Sequence, residues 1–239
     1  LTDKPCAGKA SLVIDGDDVT VRNLTLTRIR VPDGNGAGIR AEGGNLTVDH
    51  VSFINNQDGI LAASRPDATI VVRDSLFSRN GVCASRCGHG IDVGRLRLLR
   101  VEHSTFQQAR GGDHVRSSAR TTELLDNYLA DEGGRIAAPL ISLSDSNLTL
   151  RDNSVTLAAG PAARPGVVLA TGDVATLVVR GNTLREATGQ AVPLLRNWTG
   201  QAAQVAGNTV PRGTAAVSDA GSAYPRLRAR LAPLRDLLR

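Results

Sequence analysis

Four near-copies of one phrase limit what this chain can become. LLDNYL (124–129), LRDNSV (150–155), VRGNTL (179–184) and VAGNTV (205–210) place Asn127, Asn153, Asn182 and Asn208 at intervals of 26, 29 and 26 residues. Four earlier copies, VRNLTL (21–26), VDHVSF (48–53), VRDSLF (72–77) and VEHSTF (101–106), lose the asparagine but keep an apolar residue at both ends. Such a period is too short for a pair of helices. Its apolar alternation, its Val and Leu content and its Gly or Asp corners fit one coil of a parallel β-helix. About eight coils at a strand spacing of ~4.8 Å predict a rod of roughly 40 Å.

The asparagines belong to the corners. Where a strand bends sharply into the next, backbone groups lose their ladder partners. An asparagine there tolerates a left-handed backbone and can bond both the main chain and the amide of the next coil. Asn127, Asn153, Asn182 and Asn208 therefore read as an asparagine ladder, a structural column and not a catalytic set.

Composition supports a narrow interior. The 239 residues are 41% hydrophobic but only 3% aromatic, with no Met, so short aliphatic side chains must fill the core in layers. No apolar run approaches the ~20 residues that span a bilayer. The chain starts at Leu1, which predicts a processed or trimmed N-terminus and, with the fold, a secreted or periplasmic location.

The net charge of +5 is concentrated at the end of the chain. Arg226, Arg228, Arg230, Arg235 and Arg239 against Asp236 carry +4 of it, so the body is close to neutral and does not suggest a nucleic-acid partner. Residues 1–222 read as the β-helix and 223–239 as a basic amphipathic tail. The tail reads as a short helix capping the open end of the rod, or else as a contact for a polyanion or a membrane.

Three cysteines make an odd count. Cys83 and Cys87 share a loop with His89, which leaves a local disulfide, free thiols or a metal site open, and no second cysteine pair completes a zinc set. Cys6 lacks an evident partner.

A second strand precedes each corner phrase: AGIRA (37–41), DGILA (58–62), HGIDV (89–93), DHVRS (113–117), PLISL (139–143), GVVLA (166–170) and VPLLR (192–196). In this register Ile39, Ile60, Ile91, Val115, Ile141, Val168 and Leu194 point inward. Arg40, Asp92, Arg116 and Ser142 then share an outer ribbon that Leu61 interrupts, with His114 adjacent and with Asp58, His89 and Asp113 in a column at the strand entrance. His50 and His103 fall in the corner column with Asn23, Asp74, Asp126 and Asp152, and read as turn residues. His89 and His114 lie where no repeat rule asks for histidine.

The succession of coils resembles the right-handed parallel β-helix superfamily that includes pectate lyases, polygalacturonases and alginate epimerases, and in particular secreted β-helix repeat proteins of bacteria. GHGIDVG (88–94) and, one coil later, VRSS (115–118) are similar to the Gly-His-Gly and Arg-x-Lys signatures of polygalacturonase-type glycosidases. The resemblance implies His89 and Arg116 as substrate-contacting positions. It departs where that family places acids, since Gln57 and Asp58 replace an Asp pair, Ala37 replaces a further Asp, and Ser118 replaces the Lys.

An amide cannot donate a proton as an acid, so hydrolysis in that family's manner is disfavoured. Asp58 and Asp113, two coils apart at roughly 9.6 Å, approach the separation used by inverting enzymes. Lyase or epimerase chemistry on a uronate fits better, with His114 or His89 as base and Arg116 and Arg40 as cations that stabilise an enolate. The catalytic candidates are thus His89, Asp92, Asp113, His114 and Arg116. Arg40, Asp58 and Ser142 are candidates for substrate contact, and no metal ligand is assigned. Calcium would have to use Asp58, Asp92 and Asp113, which the neighbouring arginines oppose. The expected partner is an acidic polysaccharide. In the alternative reading Arg40, Asp92 and Arg116 form a charge ladder on a non-catalytic glycan-binding, scaffolding or adhesin-like solenoid.

Overall fold

The computed structural model of the protein describes residues 4–83, 87–131, 139–158, 165–187, 189 and 191–219. The tail at 223–239, with its expected cap, lies outside them. Every regular element among the described residues is a β-strand, and the strands stack into parallel sheets of nine, eight and seven strands. One coil visits all three sheets in turn, as Ala37–Ala41, Leu46–Asp49 and Ser52–Ile54 do. Sheet 1 contains Ala10–Ile14, Ala37–Ala41, Asp58–Ala62, Ile91–Val93, Val115–Ser117, Ile141–Ser144, Val168–Thr171, Leu195–Trp198 and Val217–Asp219.

About seven turns are complete, against the eight copies in the sequence. The last copy gives Gln204–Ala206 to sheet 2 but meets sheet 3 only through an isolated bridge between Thr183 and Thr209.

The interior is built from rows of identical function. In sheet 1, Ile39, Ile60, Ile91, Val115, Ile141 and Val168 pair in register and are fully buried. The next member is Leu195 and not the expected Leu194. The chain turns inward twice in succession at the strand entrance, so Leu140, Val167 and Leu194 form a second buried row one position earlier. Two consecutive leucines in VPLLR fit either row by pattern, and the pairing decides between them.

In sheet 3 the phenylalanines Phe53, Phe77 and Phe106 lie on top of one another, with centroids 4.6 Å apart at each step. That distance is the strand spacing itself, so the stack follows from the register.

The corner between sheets 2 and 3 bends through a left-handed residue in every coil: Asn23, His50, Asp74, His103, Asp126 and Asp152 have φ between 49° and 58°, and Gly181 and Gly207 follow them. His50 and His103 occupy this column as turn formers. Directly after it the amides run in a chain. Asn127, Asn153 and Asn182 each donate a backbone N–H, at 2.9 Å, and a side-chain Nδ2, at 2.9–3.0 Å, to the Oδ1 of the asparagine one coil on. Toward the N-terminus hydroxyls continue the series, as Ser104 N–H donates to Asn127 Oδ1 and Ser75 N–H to Ser104 Oγ. Each such bond satisfies a corner group that would otherwise be buried without a partner, worth about 1 kcal/mol net.

A second left-handed column, Arg28, Asn55, Arg79 and Gln108, turns sheet 3 back into sheet 1. Asn56 and Asn80 follow it. Ile29 N–H donates to Asn56 Oδ1, and Asn56 in turn donates to Asn80 Oδ1. This shorter amide series, spaced by 24 residues, carries the chain to the strand entrances where the candidate site lies.

Candidate functional site on the outer face of sheet 1

The outer row of sheet 1 is fixed by strand pairing: Val13, Arg40, Leu61, Asp92, Arg116, Ser142, Leu169 and Arg196 face the same way on successive strands. The ribbon members inferred from sequence are therefore neighbours. Arg116 Nη1 lies 3.7 Å from Asp92 Oδ2 while much of its side chain remains in solvent. Arg40 is separated from Asp92 by the Leu61 strand and binds Glu42, with Nε 3.1 Å from Oε1. Glu42 also holds Lys9 at 2.9 Å. A continuous ladder from Arg40 through Asp92 to Arg116 does not form, because the intervening position is apolar and Arg40 has a nearer carboxylate.

At the strand entrance, side chains satisfy the backbone of the following coil. Asp58 Oδ1 accepts the N–H of His89 at 2.6 Å, and His89 Nδ1 accepts the N–H of Asp113 at 3.0 Å. An accepting Nδ1 carries a lone pair, so the proton of the neutral ring sits on Nε2. The approach of Asp113 Oδ2 to the same Nδ1, at 4.0 Å, is consequently not an ion pair of the neutral ring.

Asp58 is fully buried, with its Oδ1 bonded within that turn. It cannot face a sugar and a water across a groove, which removes the expected Asp58 and Asp113 pair as an inverting acid and base. Asp58, Asp92 and Asp113, the residues calcium would have to use, are not a group of three with ligand atoms within 4.8 Å of one another. Among the described residues the group of three whose ligand atoms lie within 4.8 Å of one another is Asp49, His50 and Asp74, on the far corner. There Asp49 is already bonded by His50 and Arg73.

His114 is the larger correction. It is 2% exposed, its ring leans on Phe106 at 5.7 Å, and its Nε2 lies 3.2 Å from the Ala130 carbonyl oxygen. It lies inside the cylinder, not on the ribbon. The inward bend explains this, since the equivalent positions in earlier coils are glycines. A Cβ at Gly38 would run into the Phe53 ring and one at Gly59 into the Phe77 ring. In the coil after Phe106 the sheet 3 position is Leu129, and the His114 imidazole packs beside Phe106 there.

Gln57, where the resembled glycosidases carry an acid, is a clamp. Its Oε1 accepts the N–H groups of Val31 and Gly36, at 2.9 and 2.8 Å, and its Nε2 donates to the Val31 carbonyl. The loop 31–36 is thereby pinned beside the strand entrances. Cys83 and Cys87 are joined by a disulfide, so those sulfurs are not metal ligands. Cys6 is an exposed free thiol.

Asp113 is nearly buried at the strand entrance. Burial pushes its carboxyl above the ordinary range, a hydrogen bond from Ser142 and the charge of Arg116 pull it back, and Asp92 adds to the rise. Asp92, Asp113, Arg116 and Ser142 are thus brought together electrostatically, with His89 against Asp113.

The profile of the family described as right handed beta helix region matches residues 6–129, just over half of the chain. The chain belongs to the right-handed β-helix family. No curated protein and no solved structure matches it. The matched stretch of this β-helix carries Asp58, His89, Asp92, Asp113 and Arg116, while Ser142 falls beyond it. No helix among the described residues is long and apolar enough to cross a membrane. A wide cavity of about 720 Å³ opens at the exits of the first sheet 1 strands, lined by Asp15, Asp17, Asp18, Asp67, Asn45 and Arg65. It lies at the opposite end of those strands from the Asp113 cluster.

Proposed function

We propose that this β-helix binds an acidic polysaccharide across the outer face of sheet 1 and that Asp113 transfers a proton there. The observation that supports this is the Asp113 carboxyl itself, nearly buried, raised by desolvation, and set beside Arg116 and Ser142. A carboxylate with a raised pKa is a stronger base when ionised, and its tuning toward working pH is what proton abstraction from carbon needs.

On a uronate, Asp113 would take the proton α to the sugar carboxylate. The electrons of the broken C–H bond pass into that carboxylate, giving an enolate whose added charge Arg116 stabilises. Collapse of the enolate expels the glycosidic oxygen and leaves a double bond, which is lyase chemistry. Return of a proton to the other face gives the epimer. A secreted or periplasmic location goes with this reading, since the Cys83–Cys87 disulfide persists in oxidising compartments.

One observation favours a second reading, a non-catalytic glycan-binding solenoid. Arg116 already has Asp92 at 3.7 Å, and with His114 turned into the core the face holds fewer bases than its sequence implied. Incubation with polygalacturonate and with alginate separates the two. New ultraviolet absorbance from unsaturated product that disappears in Asp113→Asn supports the lyase reading. Binding without product or epimerisation supports the second reading, and the absence of binding to any acidic polymer rejects both.

A further inference from the structure

Three arginines at the corner between sheets 3 and 1 are held by neutral oxygens. Arg30 Nη2 and Arg110 Nη1 converge on the single Oδ1 of Asn55, at 2.8 and 2.7 Å. Arg30 Nη1 also donates to the carbonyls of Ile29 and Asn55, at 2.8 and 2.6 Å. Arg79, one coil beyond Asn55 in the left-handed column, donates through Nε to Gln108 Oε1 at 2.9 Å. Among the described residues no carboxylate lies within ion-pair distance of Arg30, Arg79 or Arg110, and all three are exposed.

This arrangement is unfavourable unless something neutralises it. Two guanidinium groups sharing one amide oxygen repel each other, and burial together with the charge of Arg110 pulls the Arg30 pKa below its ordinary value. Elsewhere the same chain pairs its cations, Arg40 with Glu42 and Arg100 with Glu123. A guanidinium has five donors; Arg30 uses three and Arg110 one, so the pair presents unused donors in fixed forks, the geometry that takes a carboxylate.

The patch also adjoins the candidate site. Arg110 precedes Asp113 by three residues, a reach of at most about 11 Å. Arg30 enters the loop that Gln57 clamps directly before Asp58.

We infer that Arg30 and Arg110, seated on Asn55 and assisted by Arg79, form a carboxylate-binding subsite for an acidic polysaccharide that runs from this corner onto sheet 1. The inference rests on the proposed function and deepens it by assigning the residues that select an anionic polymer. A chain of uronate units suits cations spread over several coils whose strands lie ~4.8 Å apart. A single-stranded nucleic acid suits it less, because among the described residues no aromatic platform for base stacking stands beside the arginines, the exposed large apolar ones being Leu24, Tyr128 and Val205.

The test is affinity for polygalacturonate at low and moderate salt, with dextran as the neutral control and oligothymidine as the nucleic-acid control. Two variants are compared with the full chain. Arg30→Gln with Arg110→Gln removes the charge. Asn55→Asp keeps both arginines but puts a carboxylate between them at a backbone that tolerates aspartate. The expected result is at least a tenfold loss of polygalacturonate affinity in both variants, with dextran ignored throughout and the melting temperature of Asn55→Asp raised. Wild-type affinity in Asn55→Asp overturns the inference even if the arginine double variant fails to fold. Wild-type affinity in both, with loss only in Arg116→Gln, overturns it while leaving the sheet 1 proposal standing. Tighter binding of oligothymidine than of polygalacturonate overturns the choice of ligand.

Discussion

The backbone of Asp113 hangs on the ring of His89: its N–H donates to Nδ1 at 3.0 Å, while Ser142 and Arg116 hold down a carboxyl pKa that burial raises. One residue thus positions the main chain of the candidate base and two others tune its side chain. His89 is a positioning residue in this arrangement, and its role can be separated from chemistry.

Replacing His89 by Ala leaves a buried N–H without its acceptor, a loss of about 1 to 3 kcal/mol in denaturant unfolding. His89→Asn places an oxygen near the position of Nδ1 and should recover most of that stability. Equal destabilisation by both variants would show that the ring contributes by packing and not by accepting the Asp113 N–H.

Asp113→Asn carries a prediction independent of any substrate. The folded carboxyl titrates above its unfolded value, so below the unfolded pKa, about 4, both states are protonated and the group is neutral in its effect. As pH rises toward and through the folded pKa, the folded state alone resists ionisation and stability is lost. The variant should therefore melt higher than wild type at pH 7, with the difference vanishing near pH 3. A variant less stable than wild type at pH 7 would contradict the desolvated carboxyl.

His114 in the interior predicts tolerance where a catalytic base predicts ruin. His114→Leu places in this row the residue type found at Leu140 and Leu194 and should change stability by no more than about 1.5 kcal/mol, with any eliminase activity retained. Complete loss of activity in a folded His114→Leu would return the histidine to the mechanism.

Asn153→Ala should cost about 2 to 4 kcal/mol. The amide accepts the N–H and Nδ2 of Asn127 and donates to the carbonyls of Leu124 and Arg151, so its removal strands buried groups on two coils. An unchanged melting temperature would mean that water replaces it at the corner. Affinity for polygalacturonate should be untouched in either case, since Asn153 lies on the corner away from sheet 1.

What could be read from the chain follows the repeat. The corner phrases define the coil, and the column that His50 and His103 share with Asn23 and Asp74 separates them from the other two histidines. The second amide series at Asn56 and Asn80 is not legible in the sequence because it has two members and no flanking phrase. The arginine pair on Asn55 is no more legible, because Arg110 and Asn55 are 55 residues apart and meet only when two coils are crossed.

The sequence by itself determined the winding, because a solenoid repeats one local decision in every coil and each copy of the apolar and turn pattern restates it. It also determined which residues share the ribbon, since strand pairing at a fixed spacing carries Arg40, Asp92, Arg116 and Ser142 to one face. Only the tertiary structure decided which way the residues at the strand entrance point. There the chain departs from alternation, two successive positions turn inward, and the volume beside the stacked phenylalanines draws His114 into the core. The same bend leaves Asp58 fully buried on the next coil's backbone and Asp113 nearly buried beside Arg116, a difference set by packing between coils that no single coil contains.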